Sequence, residues 1–104
     1  MKQLTVVVKP FRAEAVLRAV AELDVVACAV REAKGYSRQK GYLDRYMGSE
    51  YSMAFLPKVE ITVWVADERA DQVADRLVRT ARTGRMGDGK IFIVSVEWPE
   101  VLEF

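Results

Sequence analysis

The sequence predicts an α+β fold, a four-stranded antiparallel sheet with two helices and a long loop between strands 2 and 3. Two observations predict it. A unit of alternating apolar residues, then a helical apolar stripe, then another strand occurs twice in series. The chain has 104 residues, 51% of them hydrophobic, enough for one core and one domain spanning 1–104.

In the first unit, Leu4, Val6 and Val8 alternate with other side chains, as a strand with one buried face requires. Lys9-Pro10 ends it. From about Phe11 to Leu23 the apolar positions become Ala13, Val16, Val20 and Leu23, with Arg12, Glu14, Arg18 and Glu22 off that stripe. Asp24 breaks the helix, and Val25 to Val30 reads as a second strand running on towards Gly35. The second unit begins with Val59, Ile61, Val63 and Val65, which alternate with Glu60, Thr62 and Trp64. Asp67 is the expected N-cap of a helix burying Ala70, Val73, Leu77 and Ala81, and the segment Gly84 to Gly89 stops it. A last strand covers Ile91 to Val96. Two such units make a ferredoxin-like split βαβ sandwich of order βαββαβ.

Composition excludes several classes of function. Sixteen basic residues against fifteen acidic ones leave a net charge of +1, so no global field draws the protein to nucleic acid or a membrane. No apolar stretch approaches the ~20 residues that span a bilayer, and the N-terminus lacks a long apolar run, so a cytoplasmic address is expected. There is no His, which removes the commonest neutral-pH general base and transition-metal ligand. The single Cys28 lies in an apolar run and is expected to be a buried free thiol without function.

Two segments carry groups able to do chemistry. About 22 residues from Tyr36 to Pro57 separate the middle strands, where compact domains need about four to six. The loop is rich in Tyr, Arg and Gly and keeps Met53, Phe55 and Leu56, a composition that favours function over a disordered linker. Arg38 and Lys58 can hold carboxylates or phosphates and Gln39 can offer an oxygen to a hard cation; a solvated basic turn is the bland alternative. Tyr46 and Tyr51 flank Met47-Gly48-Ser49-Glu50 within the same loop. The second segment is Thr83-Gly84-Arg85-Met86-Gly87-Asp88-Gly89-Lys90. Its glycines let backbone N–H groups approach an anion, and Arg85 and Lys90 add charge. It is not a Walker A loop, because no Ser or Thr follows the Gly-Lys pair, and composition alone also fits a plain tight turn.

Lys9-Pro10-Phe11, Gly35 to Gly41, Tyr46 to Tyr51, Phe55-Leu56-Pro57-Lys58-Val59 and Thr83 to Phe92 together resemble the PII nitrogen-regulatory signal-transduction family. The likeness runs from residue 1 to about 96. It implies a non-enzymatic homotrimer that binds ATP or ADP, with AMP as a further candidate, in clefts between subunits. It implies Mg²⁺ and 2-oxoglutarate as further ligands and no tightly bound cofactor. Residues 36–57 would be the T-loop, which engages a transporter or metabolic enzyme, 83–90 the phosphate-binding B-loop, and 97–104 the tail that closes the cleft.

Carried over by position, Gly35, Arg38, Thr62, Trp64, Gly87, Asp88, Gly89 and Lys90 would contact nucleotide. Gln39, Lys40, Gly41 and Lys58 would hold 2-oxoglutarate, Gln39 through the nucleotide's Mg²⁺, and Tyr51 matches a position that some bacterial members have uridylylated.

The chain departs from the family pattern in its tail, where Val101 and Glu103 stand at positions that ordinarily carry arginines. Each lost charged hydrogen bond would cost ~1.5–3 kcal/mol. Met47 replaces a basic residue, and Ala29 and Trp64 replace smaller or polar residues around the base. These departures admit an alternative, a divergent sensor of ADP, AMP or a small anion such as bicarbonate that serves carbon or transport control. Two readings from other classes have less support. An acylphosphatase-like or kinase-like enzyme lacks a nucleophile pair, and an RNA-binding sheet using Trp64 and Phe92 lacks basic charge.

Overall fold

A computed structural model of the chain describes residues 1–35, 56–84, 89–100 and 102–104. The elements run β1 (Lys2–Val8), α1 (Pro10–Ala21), β2 (Ala27–Gly35), β3 (Leu56–Val65), a 3₁₀ turn (Asp67–Arg69), α2 (Ala70–Ala81) and β4 (Gly89–Ser95). The four strands form one antiparallel sheet in the order β2-β3-β1-β4. This is the expected ferredoxin-like arrangement.

Strand parity decides what is buried. Leu4, Val6 and Val8 pair with Val63, Ile61 and Val59 on one side and with Ile93, Ile91 and Gly89 on the other, so these positions share the face on which the helices lie. The core combines Leu4, Val6, Val8, Ile61 and Val63 with Val16 and Val20 of α1 and Ala70, Val73, Leu77 and Ala81 of α2; Val59 and Ile91 pack against it, and Ile93 on the edge strand β4 is exposed. The α2 stripe is buried at every position the sequence marks. Among the described residues no polar or charged residue is buried.

The opposite face is open. It carries Gln3, Thr5 and Val7, then Lys58, Glu60, Thr62 and Trp64, then Ala27, Ala29, Arg31 and Ala33, and on β4 Lys90, Phe92 and Val94. Phe92 and Val94 are exposed there, Phe92 by 53%.

Four local expectations need correction. Cys28 is exposed and free: it lies on the helix side of the sheet but on the edge strand β2, beyond the cover of α1, which packs on β3. Partial burial still pushes its thiol above a cysteine's ordinary value, so it is a poor nucleophile at neutral pH. Asp67 does not cap α2 through its side chain. It sits in the 3₁₀ turn, α2 has Arg69 at its N-cap position, and neither start has a side-chain cap. The Asp67 carboxylate instead meets the Met1 amine at 2.9 Å, whose hydrogen bond holds the carboxyl below the usual aspartate range.

β3 begins at Leu56, earlier than the alternation from Val59 suggests. Pro57 is tolerated because β1 pairing stops at Val59, so one side of Pro57 meets no strand. β4 likewise starts at Gly89, which places Gly89 and Lys90 inside a strand.

Candidate functional site

The topology brings four chain passages to one end of the sheet. β1 ends there at Val8, β2 ends at Gly35, β3 begins at Leu56 and β4 begins at Gly89. Val8 is flanked by Val59 on one side and Gly89 on the other. Gly35 and Leu56, which bound residues 36–55, and Gly89, which follows residues 85–88, therefore lie at this end. Lys9 follows directly in extended backbone (φ −65°, ψ 145°), the conformation favoured before proline, and Pro10 opens α1.

Gly89 is fixed there by sterics. A Cβ at this position would lie 2.5 Å from the Val7 carbonyl oxygen, so only glycine lets β4 approach β1 this closely. Gly84 answers a different need: its φ of +86° is a left-handed conformation that glycine adopts freely, with open space around it.

Charge accumulates at the same end. Lys58 lies opposite Ala33 on the open face and lines a cleft of about 440 Å³ with Pro10, Glu32, Ala33, Pro57 and Val59. Burial first, and the positive charge of Lys9 second, lower its ammonium below a lysine's ordinary value. Glu60, next on the same face, is occupied by Arg31 at 2.6 Å. Lys58 has no ion-pair carboxylate among the described residues. A partly desolvated cation beside a second lysine, at the sheet end where Gly89 permits close backbone approach, suits an anion. Lys90 is exposed on the same open face, across from Val7.

Of the site residues expected from sequence, Gly35, Lys58, Gly89 and Lys90 come together at this end. Thr62 and Trp64 do not join them within one chain. Thr62 lies mid-strand, its hydroxyl 3.2 Å from that of Thr5. Trp64 is six positions from Lys58, about 20 Å along the strand, and donates its indole N–H to Gln3 Oε1 at 3.1 Å. Its ring has room because its neighbour across β2 is Ala27, with Ala29 opposite Thr62. Arg38, Gln39, Lys40, Gly41, Met47 and Tyr51 lie outside the described residues, as do Gly87, Asp88 and Val101. In the tail, Glu103 is exposed together with Trp98, Leu102 and Phe104.

Sequence reasoning placed Arg12 merely off the apolar stripe. The structure turns its guanidinium towards α2, where Nη2 donates to the Thr80 carbonyl, and buries Nε without a hydrogen-bond partner among the described residues. The available signal was its position, one turn past the Lys9-Pro10 helix start and flanking Ala13 and Val16.

The chain matches the family model for "Nitrogen regulatory protein P-II" over residues 1–102. It belongs to the P-II family. It is 45% identical over 97 residues to the nitrogen regulatory protein GlnK of Escherichia coli K12, covering 93% of this chain and 87% of that protein. The nitrogen regulatory protein P-II 1 of the same strain and the nitrogen regulatory protein P-II of Klebsiella oxytoca are each 45% identical over 96 residues, 92% of this chain and 86% of theirs. P-II proteins are signal-transduction regulators, and the chain is one of that kind. No helix among the described residues is long and apolar enough to cross a membrane.

Proposed function

We propose that this P-II protein is a homotrimeric sensor that binds an adenine nucleotide, ATP or ADP, at the loop end of its sheet and takes 2-oxoglutarate as a co-ligand. It passes the signal to a transporter or metabolic enzyme through the segment 36–57. The observation that carries this reading is the convergence of Gly35, Lys58, Gly89 and Lys90 on one sheet end, with Lys58 partly desolvated and lacking an ion-pair carboxylate among the described residues. Phosphates need donors close to backbone and a cation; this end supplies both.

In this reading Gly87, Gly89 and Lys90 with Arg38 hold the phosphates, Asp88 also contacts the nucleotide, and Gln39 contributes to Mg²⁺. Lys40, Gly41 and Lys58 receive the dicarboxylate. The open face, with Ala27, Ala29, Ala33 and exposed Phe92 and Val94, supports assembly into a trimer, because apolar sheet surface of this kind is stabilised by burial. Assembly would bring Thr62 and Trp64 of one chain towards the nucleotide of another. Ligand contacts at Arg38 and Gln39 bias the loop between conformers, which is allostery by differential contact.

Calorimetric titration with ATP, ADP and AMP, with and without Mg²⁺ and 2-oxoglutarate, tests the reading on protein whose trimer mass is set by sedimentation. Binding of ATP or ADP is expected; no binding of any of the three at millimolar ligand overturns it. A second reading is favoured by Val101 and Glu103 in place of the tail arginines: a sensor of ADP, AMP or a small anion such as bicarbonate. It requires that ADP or AMP bind at least as tightly as ATP. An ATP preference that needs Mg²⁺ and 2-oxoglutarate rejects it. Uridylylation of Tyr51 is tested by incubation with UTP and the uridylyltransferase of a related P-II system. A uridylyl mass increase that Tyr51→Phe abolishes is the expected result, and an unchanged mass sinks the assignment.

A further inference from the structure

Two arginines tie α1 to α2, and they do so at different ends. Arg76 Nη2 of α2 reaches Glu22 Oε2 just past the end of α1 at 2.5 Å, an ion pair between a half-buried arginine and an exposed glutamate. Arg12, in the first turn of α1, donates through Nη2 to the Thr80 carbonyl in the last turn of α2 and buries its Nε.

The acceptor gives the second contact its meaning. Arg82 N–H closes on the Val78 carbonyl at 3.0 Å, so the Thr80 carbonyl lies among the final four that no intrahelical N–H can reach. It also lies at the negative end of the helix dipole, where a guanidinium is favoured. Two residues later the backbone turns extended at Arg82 (ψ 134°), and Gly84 bends at φ +86°. β4 then begins at Gly89, packed close against Val7. The departure from α2 is thus anchored by Arg12 and the return by Gly89. Arg12 and Val7, on which these two anchors rest, belong to the β1–α1 corner, which also bears Lys9 and lies beside Lys58. Arg12 Nε is buried with no hydrogen-bond partner among the described residues, a cost of placing a guanidinium here that the Thr80 contact offsets.

We propose that Arg12 is a positioning residue that fixes where the chain leaves α2 towards Thr83 and Gly84, and thereby supports the anion site at Gly89 and Lys90. Its effect on affinity rests on the nucleotide reading above, whereas its effect on chain order does not. The test compares Arg12→Met with Arg76→Met in the full-length protein, since both variants remove an α1–α2 tie and only one ends at Thr80. Amide hydrogen exchange at Thr83, Gly84 and Gly89 is expected to accelerate about tenfold or more in Arg12→Met, the loss of one charge-assisted hydrogen bond, and to stay unchanged in Arg76→Met. ADP affinity is expected to fall about five- to tenfold in Arg12→Met alone. Arg12→Lys, which keeps one donor, should lie between and remains usable if the methionine variant does not fold.

Equal changes in exchange for both variants, or none in either, overturn the proposal. Accelerated exchange with ADP bound as tightly as by wild type overturns its link to the site. If wild type binds no nucleotide while the exchange difference holds, the positioning role stands and the nucleotide reading falls.

Discussion

The two ends of the sheet are built on opposite electrostatic plans. At the end where the chain starts, charges meet partners: the Met1 amine with Asp67, Arg69 with Asp24 at 3.0 Å, and Arg76 with Glu22 nearby. The Val96 N–H returns to the Met1 carbonyl at 2.9 Å. At the loop end, Lys58 is partly desolvated, disfavoured by Lys9, and has no ion-pair carboxylate among the described residues. The first end is a closed structure; the second holds a charge that a ligand can complete. Exposed ion pairs contribute little individually, so substitutions at the paired end should change little, whereas those at the loop end should show in ligand binding.

The sharpest way to break this contrast is Gly89→Ala. Its Cβ would meet backbone at 2.5 Å, which cannot rotate away, so the β1–β4 pairing should weaken by about 1–3 kcal/mol in urea unfolding, with nucleotide binding lost alongside. Gly84→Ala has space and only the positive φ against it; about 1–2 kcal/mol is expected. Equal tolerance of both substitutions would contradict the close approach.

Lys58→Met should separate stability from binding. Removing a partly buried cation beside Lys9 leaves stability unchanged or raised, while affinity for ATP or 2-oxoglutarate falls about tenfold or more, as for a lost charged hydrogen bond. Unchanged affinity would remove Lys58 from the site.

The pH dependence has a definite sign. The folded state lowers Lys58 below its ordinary value, so below that lowered value both states are charged and the cost of burial is fully present. As pH rises through the window up to the ordinary lysine value, the unfolded state binds more protons and stability rises. Unfolding midpoints across the alkaline range should show this slope in wild type and lose it in Lys58→Met.

The smallest effect belongs to the paired end. Asp67 is held below the usual aspartate range by the Met1 amine, so its contribution is present above the ordinary aspartate value and fades as pH falls through the lowered one. Asp67→Asn should remove that acid-side dependence from unfolding curves and leave nucleotide affinity alone. A loss of affinity would show that the two ends are coupled.

Much of this architecture is legible in the sequence because period-two and period-3.6 patterns report burial directly. Leu4, Val6 and Val8, and the stripe Ala70, Val73, Leu77 and Ala81, all occupy the core. The pattern does not say which strand lies at the edge. Cys28 and Val30 look like core by composition and are left uncovered on β2, where Val30 is 50% exposed. Caps were misjudged for a related reason: Asp67 has two possible partners, a helix N-terminus and the chain's own amine, and only the fold brings the second within reach. Pro57 reads as a loop residue until the register shows that β1 has already ended beside it. Motifs single out Lys58, Gly89 and Lys90, which the fold brings to one end of the sheet, while the link from Arg12 to Thr80 spans two helices far apart in sequence.

The most direct measurement is amide and indole chemical-shift mapping of the assembled protein during ADP titration. The account predicts the largest perturbations at Val7, Lys58, Gly89 and Lys90, saturating with the calorimetric affinity and strongly reduced in Lys58→Met. Perturbations confined to Met1, Lys2, Asp67 and Val96, with the loop end silent, would contradict it.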